Sequence, residues 1–165
     1  MTLHELLALF TSKNIEYTTA HLDAVDQNAQ LTDVASDSRE VTPGSLFVCK
    51  GASFSPAYLT SAVEAGAAAY LCQQSLAEEL QAVAPNVAAI CVDDVRLAMA
   101  YAAAGVAGHP DKKLTTIGIT GTKGKSTCSY MLRAILDGDE PYSKCGVIGG
   151  IEVFDGKDTQ PAHNT

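Results

Sequence analysis

Leu3, Leu6, Leu7 and Phe10 fall on one stripe at helical spacing, and Thr2 with Glu5 three places on has the form of a capping box. The chain is therefore expected to open with an amphipathic helix of about three turns whose apolar stripe faces a core. Short β-like pieces follow near Val34 to Ser36 and Leu46 to Cys49, separated by the turn Pro43-Gly44. Tyr58 to Gly66 reads as a helix closed by glycine, and Ala67 to Cys72 as a buried strand. Leu76 to Val83 is helical again, Pro85-Asn86 breaks it, and Val87 to Val92 returns to strand. Asp94 stands where it can cap a long helix running through Met99 to Val106. Apolar periods that switch between helix and strand in this way specify an α/β fold.

Gly108-His109-Pro110-Asp111 is the strongest linker signal in the chain, which places a domain boundary near His109: residues 1–109 form a small α/β domain and 110–165 begin another. In that second part the β-rich run Leu114 to Ile117 leads into Gly118 to Thr127, reading GITGTKGKST, and a helix is expected through Ser129 to Arg133 as far as about Leu136. A polar turn at Gly138 to Ser143 and a strand at Lys144 to Ile148 complete one expected βαβ unit, the start of a P-loop mononucleotide-binding domain. One such unit cannot cover both faces of a doubly wound sheet, so the chain is expected to be a truncated one.

The glycine-rich stretch is the candidate for chemistry. Gly121 and Gly124 allow a turn in which several backbone N–H groups converge, and the helix that follows aims its positive end at the same point. A phosphate is the natural occupant. Lys125 adds a full charge, and Ser126 offers a hydroxyl to a magnesium ion bridging phosphates. The common P-loop spacing has glycine where Ile119 stands here, so the motif is the shorter Gly-x-x-Gly-Lys-Ser. The plainer alternative is a glycine-rich strand-to-helix turn with an exposed lysine.

Gly121-Thr122-Lys123-Gly124-Lys125-Ser126 resembles the signature of the Mur ligases, ATP-dependent amide-bond-forming enzymes of peptidoglycan assembly, which reads Gly-Thr-(Asn or Lys)-Gly-Lys-(Ser or Thr). Ser36-Asp37-Ser38-Arg39 followed by Val41 to Val48 resembles an amino-terminal segment of the same family, and His163-Asn164-Thr165 the start of its Asn-Thr-Thr loop. Among the members, the resemblance is to those that add diaminopimelate or lysine as the third residue of UDP-N-acetylmuramoyl dipeptide. It implies ATP and Mg2+ as cofactors, with Gly121, Thr122, Lys123, Gly124, Lys125, Ser126 and Thr127 holding the phosphates, Lys125 catalytic and Ser126 a metal ligand. It implies a UDP-sugar site in residues 1–109 with Ser36 and Ser38 as substrate contacts, and Asn164 and Thr165 in a substrate loop. The substrates implied are the UDP-N-acetylmuramoyl dipeptide and an amino acid, joined through an acyl phosphate. Read without the resemblance, Asp37 and Ser38 form an Asx-type turn serving local backbone groups, and Arg39 pairs with Asp37 or Glu40. A folylpolyglutamate-synthase-like ligase shares the phosphate loop but lacks the nucleotide-sugar domain; a non-catalytic nucleotide-binding module is the alternative outside enzymes.

Composition narrows the rest. Hydrophobic residues are 47% and charged residues 18% of 165, the profile of a globular protein able to bury a core. A net charge of -8 opposes a polyphosphate backbone, which excludes nucleic-acid binding as an expectation. The five cysteines form no C-x-x-C pair and read as reduced core residues. His4 and Glu5 stand where a signal peptide wants positive charge, and no apolar run has membrane-spanning length, so no membrane partner and a cytoplasmic location are expected. Unpaired sheet edges in the second part make self-association an expectation as well.

Overall fold

The computed structural model describes residues 1–138 and 145–162 of the chain. It divides into two units, Met1–Leu114 and Thr115–Thr165. The first unit runs α1 (Leu3–Ser12), β1 (Tyr17–Ala20), β2 (Val34–Ala35), β3 (Leu46–Val48), α2 (Pro56–Glu64), β4 (Ala69–Gln73), α3 (Ala77–Val83), β5 (Ala88–Val92) and α4 (Val95–Val106). Its sheet has the order β1-β5-β4-β3-β2, with β2 to β5 parallel and β1 antiparallel on the edge beside β5. Parallel neighbours need a crossover, and α2 and α3 supply it between β3 and β4 and between β4 and β5.

Both faces of this mixed sheet are covered. Phe47, Tyr70, Cys72, Ala89 and Cys91 meet Leu59 and Ala62 of α2 and Leu80 of α3. The alternate residues Leu46, Val48, Leu71, Ile90 and Val92 meet Leu6 and Phe10 of α1 and Ala98 and Ala102 of α4. Burial on two sides is why β4 and β5 read as unbroken apolar runs and not as alternating ones. Each Leu, Ile or Phe so buried contributes about 1.5–3 kcal/mol relative to exposure.

The local signals act as read. Thr2 Oγ1 accepts from Glu5 N at 3.1 Å and Glu5 Oε2 accepts from Thr2 N at 2.8 Å, closing the capping box of α1. Asp94 Oδ1 accepts from Leu97 N at 2.9 Å and caps α4. Gly66 closes the turn after α2 at φ +96°, and a Cβ there would lie 3.1 Å from Pro43 Cα, so the position demands glycine twice over. His109 adopts left-handed backbone (φ 54°) and leads into a single 3₁₀ turn at Pro110–Lys112. Strand β1 was absent from the sequence reading: Tyr17 to Ala20 carries no apolar run, and its strand character comes from pairing with β5, a neighbour distant in sequence.

The second unit departs from the expected βαβ unit. Residues 115–120 carry no regular structure, and Leu114 and Ile117 are exposed, so the β-rich run ahead of the glycines forms no strand. After it come α5 (Lys125–Asp137), β6 (Val147–Ile148), β7 (Glu152–Phe154) and β8 (Thr159–Pro161). These three strands form an antiparallel sheet in the order β6-β7-β8. A hairpin closes through a few residues and pays little loop entropy, whereas a parallel partner must come across a helix; β6 therefore pairs forward with β7. The polar turn expected to Ser143 and the strand start at Lys144 lie outside the described residues from 139 to 144.

Cysteine placement also differs in part from the expectation. Cys49, Cys72 and Cys91 are buried, but Cys128 is exposed on α5 and Cys145 is half-buried. No helix among the described residues is long and apolar enough to cross a membrane.

Candidate functional site

The glycine-rich loop has the backbone that an anion cradle requires. Gly121 (φ +147°) and Gly124 (φ +77°) both occupy conformations that L side chains rarely adopt, and Gly124 serves as the N-cap of α5. No side chain caps that helix. Its first bond back to the loop runs from Cys128 N to Gly124 O at 2.9 Å, which leaves the first-turn amides for an outside acceptor. Lys125 Nζ donates to Gly121 O at 2.6 Å, so the ammonium is folded over the loop that precedes it. Ser126 is half-buried; its carbonyl accepts from Ser129 Oγ at 2.8 Å, and its own hydroxyl makes no hydrogen bond among the described residues. Thr122, Lys123 and Thr127 are exposed. Uncommitted amides, one cation and one free hydroxyl fit a phosphate group with an associated magnesium ion. Among the described residues no group of three or more His, Cys, Asp or Glu side chains is arranged to hold a metal ion.

In the first unit, Ser36 follows β2 directly at the carboxyl end of the sheet and is exposed. Asp37 Oδ1 accepts from Arg39 N at 3.0 Å, which is an Asx turn. The Arg39 guanidinium returns to the same carboxylate, with Nε 2.9 Å from Oδ1, and that bond pushes the arginine pKa above its ordinary value. Arg39 is thus committed to Asp37. Ser38 lies at the tip of this turn, half-buried, with no hydrogen-bond partner for its hydroxyl among the described residues. The turn that could have explained the motif locally uses Asp37 and Arg39 and leaves Ser36 and Ser38 available.

Beside it, a cavity of about 790 Å³ opens at the carboxyl ends of β3, β4 and β5. Lys50, Gln73, Glu79, Asp93 and Arg96 give it its polar lining, with Phe54 as the aromatic wall. Neither Ser36 nor Ser38 lines it. Sequence reasoning passed over these residues, although a signal existed: Lys50, Asp93 and Asp94 come just after apolar strands, where open α/β sheets place ligands. Asn164 and Thr165 lie outside the described residues.

The chain is 41% identical over 111 residues to the UDP-N-acetylmuramyl-tripeptide synthetase of Latilactobacillus sakei, an alignment covering 67% of this chain and 20% of that protein. It is 37% identical over 132 residues to the UDP-N-acetylmuramoyl-L-alanyl-D-glutamate--2,6-diaminopimelate ligase of Clostridioides difficile, covering 79% of this chain and 26% of the relative. The ligase of the same name from Caldanaerobacter subterraneus is 36% identical over 140 residues, covering 84% and 28%. No protein-family model matches the chain. The chain thus spans between about a fifth and three tenths of the length of these curated relatives. Over that span it is homologous to the Mur ligases of peptidoglycan precursor synthesis, in keeping with the two motifs at Ser36 to Arg39 and Gly121 to Ser126.

Proposed function

We propose that the chain is part of an ATP-dependent ligase that adds the third amino acid to UDP-N-acetylmuramoyl dipeptide in the cytoplasm. The observation that carries this is the loop at the start of α5: two glycines in left-handed backbone, an uncapped helix end and Lys125 folded across the loop on the Gly121 carbonyl. ATP would supply the phosphoryl group that activates the dipeptide carboxylate as an acyl phosphate for attack by the incoming amine. The backbone of Gly121 to Gly124, with Thr127 closing the cradle, would orient the phosphates; Lys125 would neutralise charge on the transferring group, and Ser126 would hold magnesium. Ser36 and Ser38 hold the uridine nucleotide at the carboxyl edge of the first sheet, and Asn164 and Thr165 contribute to the substrate loop. On this reading the 165 residues bind nucleotides but do not ligate, because neither unit alone encloses two substrates and excludes water from an acyl phosphate.

Titration calorimetry of the chain with UDP and with magnesium-ATP tests the assignment, together with Lys125→Ala in the complete enzyme. Lys125→Ala is expected to abolish turnover while UDP-sugar affinity holds. Retention of more than about a tenth of the rate, a loss under roughly 1.4 kcal/mol, removes Lys125 from the mechanism.

A further inference from the structure

Cys72 and Cys91 stand on the adjacent parallel strands β4 and β5, Cys49 directly follows β3, and all three belong to the core cluster that the sheet forms with α2 and α3. Cys72 and Cys91 are directly paired in register, and their sulfurs are 3.5 Å apart, close enough for the Cys72 thiol to donate to Cys91. Neighbouring strands in a sheet are separated by about 4.8 Å, inside the Cα span that a disulfide bridges. Both residues are fully buried in the cluster between the sheet, α2 and α3, and one polar side chain, Gln81, reaches Cys91. Gln81 Nε2 lies 4.0 Å from its sulfur, and Thr18 is its register partner on β1. Thr18 Oγ1 in turn donates to Gln74 Oε1 at 2.8 Å, and Thr18 and Gln74 line an open groove of about 760 Å³. These donors favour a thiolate at Cys91: the bond from Cys72 draws its pKa below the ordinary thiol value, while the same bond, with burial, drives that of Cys72 up. Cys49 has no such donors among the described residues, and burial pushes its thiol up to about 12.

We propose that Cys91 and Cys72 form a peroxide-responsive dithiol, in which Cys91 is the attacking sulfur and Cys72 the resolving one, closing to a disulfide that ties β4 to β5 beside the strand-end cavity. The Cys91 thiolate attacks one peroxide oxygen, the O–O bond breaks, and the departing hydroxide takes a proton to leave as water. The sulfenic acid so formed is attacked by the Cys72 sulfur; the S–S bond forms, the S–O bond breaks, and the second water leaves with the Cys72 proton. Two thiols lose two electrons, and one peroxide is reduced to two waters.

The experiment treats the folded chain with hydrogen peroxide, alkylates what remains as thiol, and digests with a glutamate-specific protease, which cuts at Glu78 and Glu79 between the two cysteines, together with trypsin, which cuts at Arg96 and separates Cys91 from Cys128. A linked Cys72–Cys91 product, reversed by dithiothreitol, is expected while Cys49 remains alkylatable. Cys72→Ala should leave Cys91 as a sulfenic acid that dimedone traps, and Gln81→Leu should slow linkage several-fold with the far-ultraviolet spectrum unchanged. Exposed Cys128 reports in the same sample that oxidant was sufficient. Oxidation of Cys128 with no Cys72–Cys91 linkage, or linkage that appears only after urea unfolds the chain, overturns the proposal.

Discussion

In the first unit every residue from Ala69 to Cys72 and from Ala88 to Val92 is buried, while in the second α5 buries none of its thirteen, and Met131, Ile135, Ile148 and Ile151 are 61%, 73%, 89% and 64% exposed. The two units therefore draw order from different sources. Packing on both faces holds the strands of the first, and most helical stability in proteins comes from packing of this kind. The second relies on local devices. Arg133 lies 3.6 Å over the Phe154 ring and pairs with Asp137 at 3.3 Å, Asp137 Oδ1 accepts from Cys145 N at 3.1 Å, and Asp155 organises the turn between β7 and β8. A unit held locally can present an open loop, and the glycine turn of Gly121 to Gly124 lies there, whereas the serines at the end of β2 follow a strand of a sheet covered on both faces.

Matched truncations should expose this difference most strongly. Phe47→Ala opens a cavity between the sheet and α2 and is expected to cost about 3–5 kcal/mol of unfolding free energy. Ile135→Ala, on the open face of α5, should stay within about 0.5 kcal/mol of the parent. Urea titration followed by circular dichroism measures both. Similar losses from the two changes would mean that the face of α5 is covered in solution, and the contrast between the units would fail.

The same contrast explains what could be read from the sequence. The capping box at Thr2 and Glu5, the Asp94 cap and the apolar runs of β4 and β5 are local signals whose meaning does not depend on a partner, and each stands where it was expected. Two errors share one cause. Tyr17 to Ala20, with no strand signal of its own, becomes a strand through β5; Leu114 to Ile117, expected as a strand, finds no neighbour among the described residues. Pairing decides strands, and pairing is nonlocal. The turn at Gly121 and Gly124 ahead of α5 was legible because glycine carries its backbone freedom in its identity. The strand-end cavity was legible only in part: the positions of Lys50 and Asp93 after apolar strands mark a sheet end, but their meeting with Gln73 and Arg96 depends on the order of the sheet.

If each unit serves its own ligand, substitutions should separate cleanly. Ser38→Ala is expected to weaken UDP-sugar binding by about 1–2 kcal/mol, the value of a hydrogen bond to a polar or charged group, and to leave magnesium-ATP affinity unchanged. Calorimetry with the two ligands checks it. A parallel fall in ATP affinity would show Ser38 acting through the fold, and the turn at Asp37 would then account for the whole motif.

A smaller gain is expected at Tyr70. Its side chain is fully buried, its hydroxyl has no partner among the described residues, and burial drives its pKa well above the ordinary phenol value. Tyr70→Phe removes an unpaired polar atom without changing the ring that packs between the sheet and the helices, so stability should rise by about 1 kcal/mol. Thermal unfolding of the variant beside the parent decides it; a drop of similar size would show that the hydroxyl is hydrogen-bonded in solution.

The smallest effect belongs to the turn between β7 and β8, where order is held by one exposed carboxylate. Asp155 Oδ1 accepts from Asp158 N at 2.7 Å and from Lys157 N at 2.8 Å, and these bonds, the first the larger, hold its pKa below the ordinary carboxylate value. A carboxylate with a depressed folded-state pKa stabilises the fold above its unfolded pKa of about 3.9, and that contribution fades as pH falls through the folded value. Between pH 7 and about 4 the Lys157 and Asp158 amides should therefore keep constant shifts and protection, and below that range they should lose both, while the amides of β4 and β5 remain unaffected. Asp155→Asn preserves an acceptor for the Asx turn and should abolish the transition without opening the hairpin. A proton-detected titration following the Asp155 carboxyl carbon tests the sign directly: an apparent pKa at or above the ordinary carboxylate value would mean that the turn is not held by this charge, and that β7 and β8 owe their pairing to the strands themselves.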